Sequence, residues 1–228
     1  MIITALKPYK ALRFQQSIIT VKRNITDITK LKSKHFYKNM VIQKTIKPKT
    51  TKKWEEEFSC QVSWPCITKN KLSKHEEIKI KEFNYKFLMN IVATKDNLFR
   101  WKKSNNKFCI YCTGNLVHNT KHLLWECSHV HGLWNIISAE LNIDITWKNI
   151  VIGINNKVVE NIIISIICYC IYKKFIRDNH INTRQYELLT EFLSRELLQK
   201  STIYTELTDH VKKGVAIIMK TIVDRLAN

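Results

Sequence analysis

The stretch CIYCTGNLVHNTKHLLWEC, residues 109–127, places three cysteines and two histidines within nineteen residues. Four of them, Cys109, Cys112, His122 and Cys127, form the pattern Cys-x2-Cys-x9-His-x4-Cys. A pair of thiolates across a tight turn, followed by a second pair of sulfur or nitrogen ligands, is a common way to hold a tetrahedral zinc ion. The pattern predicts one structural Zn²⁺ ion, and its four protein ligands would leave no open position for catalysis.

Other side chains nearby leave alternatives to this ligand set. His118, His129 and His131 are close enough in sequence to replace His122. We favour His122 because His118 lies inside the polar loop between the two pairs, while the other two follow Cys127. The cysteines could instead be small buried residues, with His122 an ordinary core or surface histidine.

The four remaining cysteines lie away from this stretch. Cys60 and Cys66 could form half of a second metal site, but no second pair of ligands accompanies them. Cys168 and Cys170 lie in the most apolar segment of the chain. We interpret all four as packing residues.

Helical patterns flank the zinc motif on both sides. Ser73 and Glu76 match a capping box at the start of a helix that we expect to end near Thr94. After the motif come a helix with an apolar face from residue 130 to 141 and an almost wholly apolar one from about residue 158 to 176. A final helix, from about residue 202 to 226, carries an apolar stripe from Leu207 to Leu226.

The scarcity of glycine and proline, at 4 and 3 residues, argues against a turn-rich β fold. We predict a mainly α fold, with a small zinc-stabilised module followed by a helical bundle and preceded by a basic, partly irregular N-terminal segment. The stretch KPKTTKK, residues 47–53, is interpreted as an exposed linker. The predicted domains are 1–53, 54–150 (the zinc-binding domain) and 151–228 (the C-terminal helical region).

The positive charge is concentrated at the N-terminus. Residues 1–53 contain 14 Lys and Arg and one acid, Asp27, which gives 14 − 1 = +13 of the formal net charge of +19. Such asymmetry favours a polyanionic partner, RNA or DNA, because each cation that meets a phosphate releases counterions. The alternative is a basic tail with no specific partner.

Basic and aromatic side chains alternate just before the zinc motif. Aromatic rings can stack on unpaired bases while lysine and arginine neutralise phosphates. The candidate nucleic-acid contacts are Lys79, Lys81, Lys86, Arg100, Trp101, Lys102, Lys103 and Lys107. The alternative is that Trp101 and Phe108 pack against the zinc module and the lysines form a solvated face.

Residues 82–134 resemble the zinc-binding region at the C-terminal end of reverse transcriptases from non-LTR (LINE-like) retrotransposons. The residues that carry the resemblance are Phe83, Tyr85, Leu98, Trp101, Cys109, Cys112, Thr120, His122, Leu123, Trp125, Cys127 and Trp134. It extends more weakly to residues 25–200. The resemblance implies a zinc site on the four ligands, a role in gripping template RNA or target DNA, and a retroelement polymerase as a possible partner.

One departure from that family bears on activity. Reverse transcriptases hold two metal ions with paired aspartates, and this chain contains no Asp-Asp dipeptide. The family's endonuclease region is absent too, so the chain looks like a C-terminal fragment, a truncated element copy or a host gene made from one. We therefore expect no enzymatic activity. The alternative function is a helical protein-interaction module in which residues 158–226 bind a partner.

The N-terminus shows no export signal, because Lys7, Pro8 and Lys10 interrupt the apolar residues that follow Met1. The longest apolar run, residues 161–172, is shorter than a membrane span of roughly 20 residues. We expect an intracellular protein of the cytoplasm or nucleus, without a membrane partner. Thiols in such a compartment stay reduced and available to a metal.

Overall fold

Helices make up nearly all the regular structure in the part of the chain that the computed structural model describes, residues 48–113, 115–180 and 188–227. The mainly α prediction is confirmed there. The helices are α1 (Lys49–Phe58), α2 (Trp64–Lys71), α3 (Ile78–Leu88), α4 (Lys95–Arg100), a π-helix (His122–Glu126), α5 (Ser128–Leu141), α6 (Trp147–Ile152), α7 (Val158–His180), α8 (Leu189–Glu206) and α9 (His210–Ala227). The predicted basic segment up to residue 47 lies outside the described residues.

Helix α7 runs through the centre of the described unit. It is buried nearly all round, as its sequence predicts, with Ile162, Ile163, Ile166 and Ile167 inaccessible to solvent. The elements that pack against it are α2, α3, the π-helix, α8 and α9. Helices from both sides of residue 150 therefore share one core. No helix in the described ranges is long and apolar enough to cross a membrane.

Residues 49–53 form the first half of α1, so their interpretation as a linker was wrong, although Lys52 and Lys53 are exposed as predicted. Pro48 is the N-cap, a position where the missing N–H of proline costs nothing. The indole of Trp54 is almost completely buried and donates a hydrogen bond to the backbone carbonyl of Leu88 over 3.0 Å. Burial of Trp54 and Thr51 outweighs the repulsion among the neighbouring lysines.

The predicted capping box at Ser73 was also wrong. The Ser73 hydroxyl accepts a hydrogen bond from the backbone of His75, and α3 begins only at Ile78. Glu76 is buried instead, with both carboxylate oxygens 3.4 Å from the side-chain amide of Asn84. Helix α3 then ends at Leu88, six residues before the expected end.

The apolar stripe predicted for the last helix packs largely against other helices of the same chain. Helix α8 continues to Glu206, so the last helix begins at His210 rather than near Thr202. Helices α8 and α9 pack against each other and against α7 and α5. Val215 and Ile222 of the stripe are buried, whereas Leu207 belongs to the segment that connects α8 to α9 and is exposed.

Candidate metal centre

The first pair of cysteines follows a short antiparallel pairing of the backbone. Phe108 and Val117 form a β-bridge, the Cys109 N–H donates to the carbonyl of Leu116 over 2.8 Å, and the His118 N–H donates to Lys107 over 2.9 Å. At the turn itself the Tyr111 N–H points at the Cys109 sulfur, 3.4 Å away. A backbone N–H directed at sulfur stabilises a thiolate, the form in which cysteine binds a metal.

The second pair lies at the two ends of the π-helix. The Asn119 side chain accepts a hydrogen bond from the backbone N–H of His122 over 2.8 Å, which fixes the start of this turn. The Cys127 N–H then donates to the carbonyl of His122, five residues earlier, over 2.8 Å. A five-residue offset is wider than an α-helical turn, but one π turn spans it and brings His122 and Cys127 together.

The four side chains converge as the sequence pattern predicts. One ligand atom from each of Cys109, Cys112, His122 and Cys127 lies within 4.8 Å of all the others. The Cys112 sulfur is 3.5 Å from the Cys127 sulfur and 3.5 Å from His122 Nε2, and the sulfurs of Cys109 and Cys127 are 3.9 Å apart. These four residues could hold a metal ion.

Those separations fit tetrahedral coordination. Zinc bonds of about 2.3 Å to sulfur and about 2.0–2.1 Å to nitrogen require an S–S edge of about 3.8 Å and an S–N edge of about 3.6 Å. The observed edges of 3.9, 3.5 and 3.5 Å lie within 0.3 Å of these values. Three of the six edges of the tetrahedron therefore already have about the length that a bound zinc ion requires, and the remaining ones are at most 4.8 Å.

The alternative histidines lie outside this cluster. His118 is fully buried with its ring stacked on Phe175, the centroids 4.2 Å apart, and its Nδ1 accepts a hydrogen bond from the backbone N–H of Lys95. Burial lowers the pKa of His118 to about 4, so this ring stays neutral. His129 stacks on Tyr111 with centroids 4.5 Å apart, and His131 is exposed. The structure thus places His122 in the cluster and gives His118 and His129 packing roles.

The thiols of the cluster differ in acidity. A hydrogen bond shared with Cys127, opposed by burial and assisted by the Tyr111 N–H, lowers the pKa of Cys109 to about 4. The pKa of Cys127 is raised, first by that same shared hydrogen bond and then by burial. A lowered pKa favours the thiolate, which is the form of cysteine that binds a metal ion.

A buried polar network ties the cysteine turn to α7. The Tyr111 hydroxyl donates a 2.6 Å hydrogen bond to Asp178, which is also paired with Lys174 one helical turn away. On the other side of the centre, the Trp134 indole donates to the Leu124 carbonyl at 2.7 Å and so fastens the π-helix to α5. The segment that carries the Cys/His cluster is thus held by hydrogen bonds to two helices of the bundle. Sequence reasoning missed Asp178 and Lys174, because no sequence signal links them to a turn 67 residues away.

The remaining cysteines are not part of the cluster. Cys168 and Cys170 are buried in α7, and burial raises the pKa of each thiol to about 12. Cys60 and Cys66 are half-buried, and the Cys66 thiol donates to the side chain of Asn155 over 3.1 Å. In the described residues, no second group of cysteine, histidine or acidic side chains joins Cys60 and Cys66.

The segment 99–108, which leads into the cysteine turn, presents basic and aromatic side chains to solvent. Phe99 and Trp101 leave 44% and 43% of their surface exposed, so Trp101 is not packed into the module. Lys102 and Lys103 are exposed and make no ion pair with a described residue, and Lys107 lies 5.9 Å from the ring centroid of Phe99.

The other predicted nucleic-acid contacts lie on α3 and α4. Arg100 is exposed but paired with Asp96 over 2.7 Å, and Lys86 is paired with Glu82 over 2.6 Å. Lys79 is exposed and Lys81 half-buried. The predicted residues are therefore accessible, but two of them already have acidic partners.

Comparison with known proteins yielded no match to a family model, a curated protein or a solved structure. The resemblance to retrotransposon reverse transcriptases stays a prediction from the sequence.

Proposed function

We propose that this chain is a noncatalytic nucleic-acid-binding module whose fold is stabilised by one zinc ion held by Cys109, Cys112, His122 and Cys127. The observation that carries the proposal is the convergence of three sulfurs and one imidazole nitrogen within 4.8 Å of one another, with separations of 3.9, 3.5 and 3.5 Å along three edges, which support zinc. Thiolate and imidazole ligands suit zinc, whereas magnesium and calcium require oxygen ligands. Four protein ligands complete the tetrahedron, which is the arrangement of a structural site.

Nucleic acid is the partner that the surface favours. The segment 99–108 combines exposed aromatic rings with Lys102 and Lys103, whose charges are not balanced by described acids. It continues directly into Cys109, so a folded metal centre would hold this segment in place. Contacts of this kind grip the backbone and stack on bases with little sequence readout. On the family resemblance, the ligand would be template RNA or target DNA, and a retroelement polymerase could supply the missing catalytic aspartates.

Metal content tests the first half of the proposal. We expect about one zinc per purified chain, measured by mass spectrometry of the elements, and a substantial loss of zinc in Cys112→Ser. The matched control is Cys66→Ser, since Cys66 is equally half-buried but lies outside the cluster and serine can keep the bond to Asn155. Full zinc occupancy in Cys112→Ser would remove Cys112 from the ligand set, and another metal in the native protein would contradict zinc.

Salt dependence of binding tests the second half. Binding of single-stranded RNA or DNA should weaken with a slope of about −0.7 in log K against log salt for each phosphate contact. Replacing Lys102 and Lys103 with alanine should reduce the steepness of that slope by about 1.4 without lowering stability. Replacing Lys148 and Lys213, two exposed lysines far from residues 99–108 in sequence, provides the control. An unchanged slope in the first variant would mean that the proposed surface is wrong.

A further inference from the structure

A cavity between α3 and α7 lies outside the metal centre and has basic, acidic and aromatic side chains around it. Its volume is about 300 Å³, at the lower end of the range for small-ligand pockets. Lys79, Glu82, Phe83 and Lys86 line it from α3, and Tyr169 and Tyr172 line it from α7.

The aromatic wall of this cavity is fixed by packing. The ring of Phe83 is buried, stacks on Tyr172 with centroids 5.2 Å apart, and meets Tyr169 edge-on at 5.8 Å. Both tyrosines keep part of their surface accessible. A flat ring entering the cavity would therefore meet a preformed aromatic surface, and no free energy of binding would be lost in ordering those side chains.

The polar groups of the cavity differ in what they can offer a ligand. Lys79 is exposed and has no ion pair with a described residue, so its ammonium group can meet a phosphate. Lys86 is bonded to Oε1 of Glu82 over 2.6 Å, and Oε2 of Glu82 has no hydrogen bond to a described residue. This second oxygen can accept a hydrogen bond but cannot donate one.

We propose that this cavity receives a single unstacked nucleobase of a bound strand and prefers a base with an exocyclic amino group. The base would stack on the tyrosines, Lys79 would meet the adjoining phosphate, and Glu82 would accept an N–H from the base edge. Carboxylates recognise the N4 amino group of cytosine in this way, whereas uracil presents O4, a second acceptor, at the same position. The proposal rests on the proposed nucleic-acid binding and adds a site and a base preference to it.

The test compares oligo(C) and oligo(U) RNAs of about twelve nucleotides, long enough to cover a typical single-strand site, by fluorescence anisotropy with the full zinc-loaded chain. Oligo(C) should bind at least about fivefold more tightly than oligo(U). Tyr169→Leu should weaken binding of oligo(C) about tenfold, because it removes a stacking surface. The matched control is Tyr85→Leu, since Tyr85 is 51% exposed and is not among the residues that line the cavity.

A second variant avoids the partly buried core. Glu82 is exposed, so Glu82→Gln should leave the fold and zinc content unchanged, and its amide can donate to O4 of uracil. The preference for oligo(C) should therefore disappear. If neither RNA binds the native chain, the proposed function fails. If both bind but Glu82→Gln keeps the same preference, or Tyr169→Leu behaves like Tyr85→Leu while remaining folded, the cavity is not a base site and nucleic-acid binding elsewhere stands.

Discussion

The ion pair of Lys174 with Asp178 is the interaction whose loss should be most informative. The two side chains are 1% and 2% exposed, and the Tyr111 hydroxyl donates to the same carboxylate. Asp178→Asn keeps the shape of the side chain but removes the negative charge that pairs with the buried ammonium group of Lys174 and lies 3.9 Å from Nε of Arg177. Removing one partner of a buried pair typically costs about 3–5 kcal/mol, because the other charge stays desolvated.

The expected loss is large enough to measure directly. At about 2–4 °C per kcal/mol for a chain of this size, the melting temperature should fall by about 6–20 °C with zinc at saturation. The matched control is Glu56→Gln, which breaks the ion pair of Glu56 with Lys52. These residues are also four apart on a helix, but the side chains of Lys52 and Glu56 are 83% and 68% exposed. An exposed pair of that kind contributes less than about 1 kcal/mol.

The double variant Lys174→Met with Asp178→Leu separates the burial cost from a packing defect. Apolar replacement of a buried pair is often neutral or stabilising, so the double variant should be more stable than Asp178→Asn. The side-chain oxygen of asparagine can still accept the hydrogen bond from the Tyr111 hydroxyl, whereas leucine cannot, so greater stability of the double variant would arise despite the loss of that bond. Urea unfolding followed by circular dichroism gives the free energies. Substitutions at the surface typically change the free energy of unfolding by up to about 0.5 kcal/mol. If the free energies of unfolding of Asp178→Asn and Glu56→Gln differ by less than that, the reasoning about burial is wrong.

Three further changes test other parts of the structure. Gly153→Ala should destabilise by more than about 1 kcal/mol, because φ is +81° and the added Cβ would lie 2.6 Å from that of Asn70, whereas Gly132→Ala, with open space inside α5, should be neutral or stabilising in the same thermal melts. Burial raises the pKa of Glu76 from 4.5 to about 7, so the folded protein holds more protons than the unfolded chain in this window. The free energy of unfolding should therefore fall, by at most about 3 kcal/mol, as the pH rises from 4.5 to about 7. Unfolding measured from pH 5 to 8 should show this fall in the native protein and not in Glu76→Gln. Removal of zinc with a chelator should lower the melting temperature, with recovery on adding zinc but not magnesium; an unchanged melt would show that the metal centre does not stabilise the fold.

Helices were predicted correctly where their buried apolar residues recur with helical spacing. The face of α5 from Val130 to Leu141 and the all-round burial of α7 follow from the sequence, since 3.6-residue periodicity reports directly which side meets the core. Helix ends were less predictable. Ser73 followed by Glu76 matches a capping box, yet Glu76 lies beside Asn84 in the core, and α3 begins after it. Tertiary partners of this kind decide whether a local capping signal is used.

The four candidate metal ligands were predicted from the sequence, because the chemistry of thiolates and imidazole limits which spacings can close around one ion. Sequence spacing favours His122 over His118 only weakly, and the structure supplies the stronger reason. The π turn brings His122 to Cys127, while the ring of His118 is held against Phe175. An unusual helical geometry is a compromise with surrounding packing, and so the sequence pattern alone does not specify it.

The sequence by itself determined the helical class, the buried central helix and the four candidate ligands, since these depend on periodicity and on the chemistry of neighbouring residues. Only the tertiary structure decided which distant groups meet: Tyr111 with Asp178, and the lysines of α3 with the tyrosines of α7. Such pairings depend on how helices cross in three dimensions. That crossing is set by the packing of the whole core, and a local stretch of sequence carries little information about it.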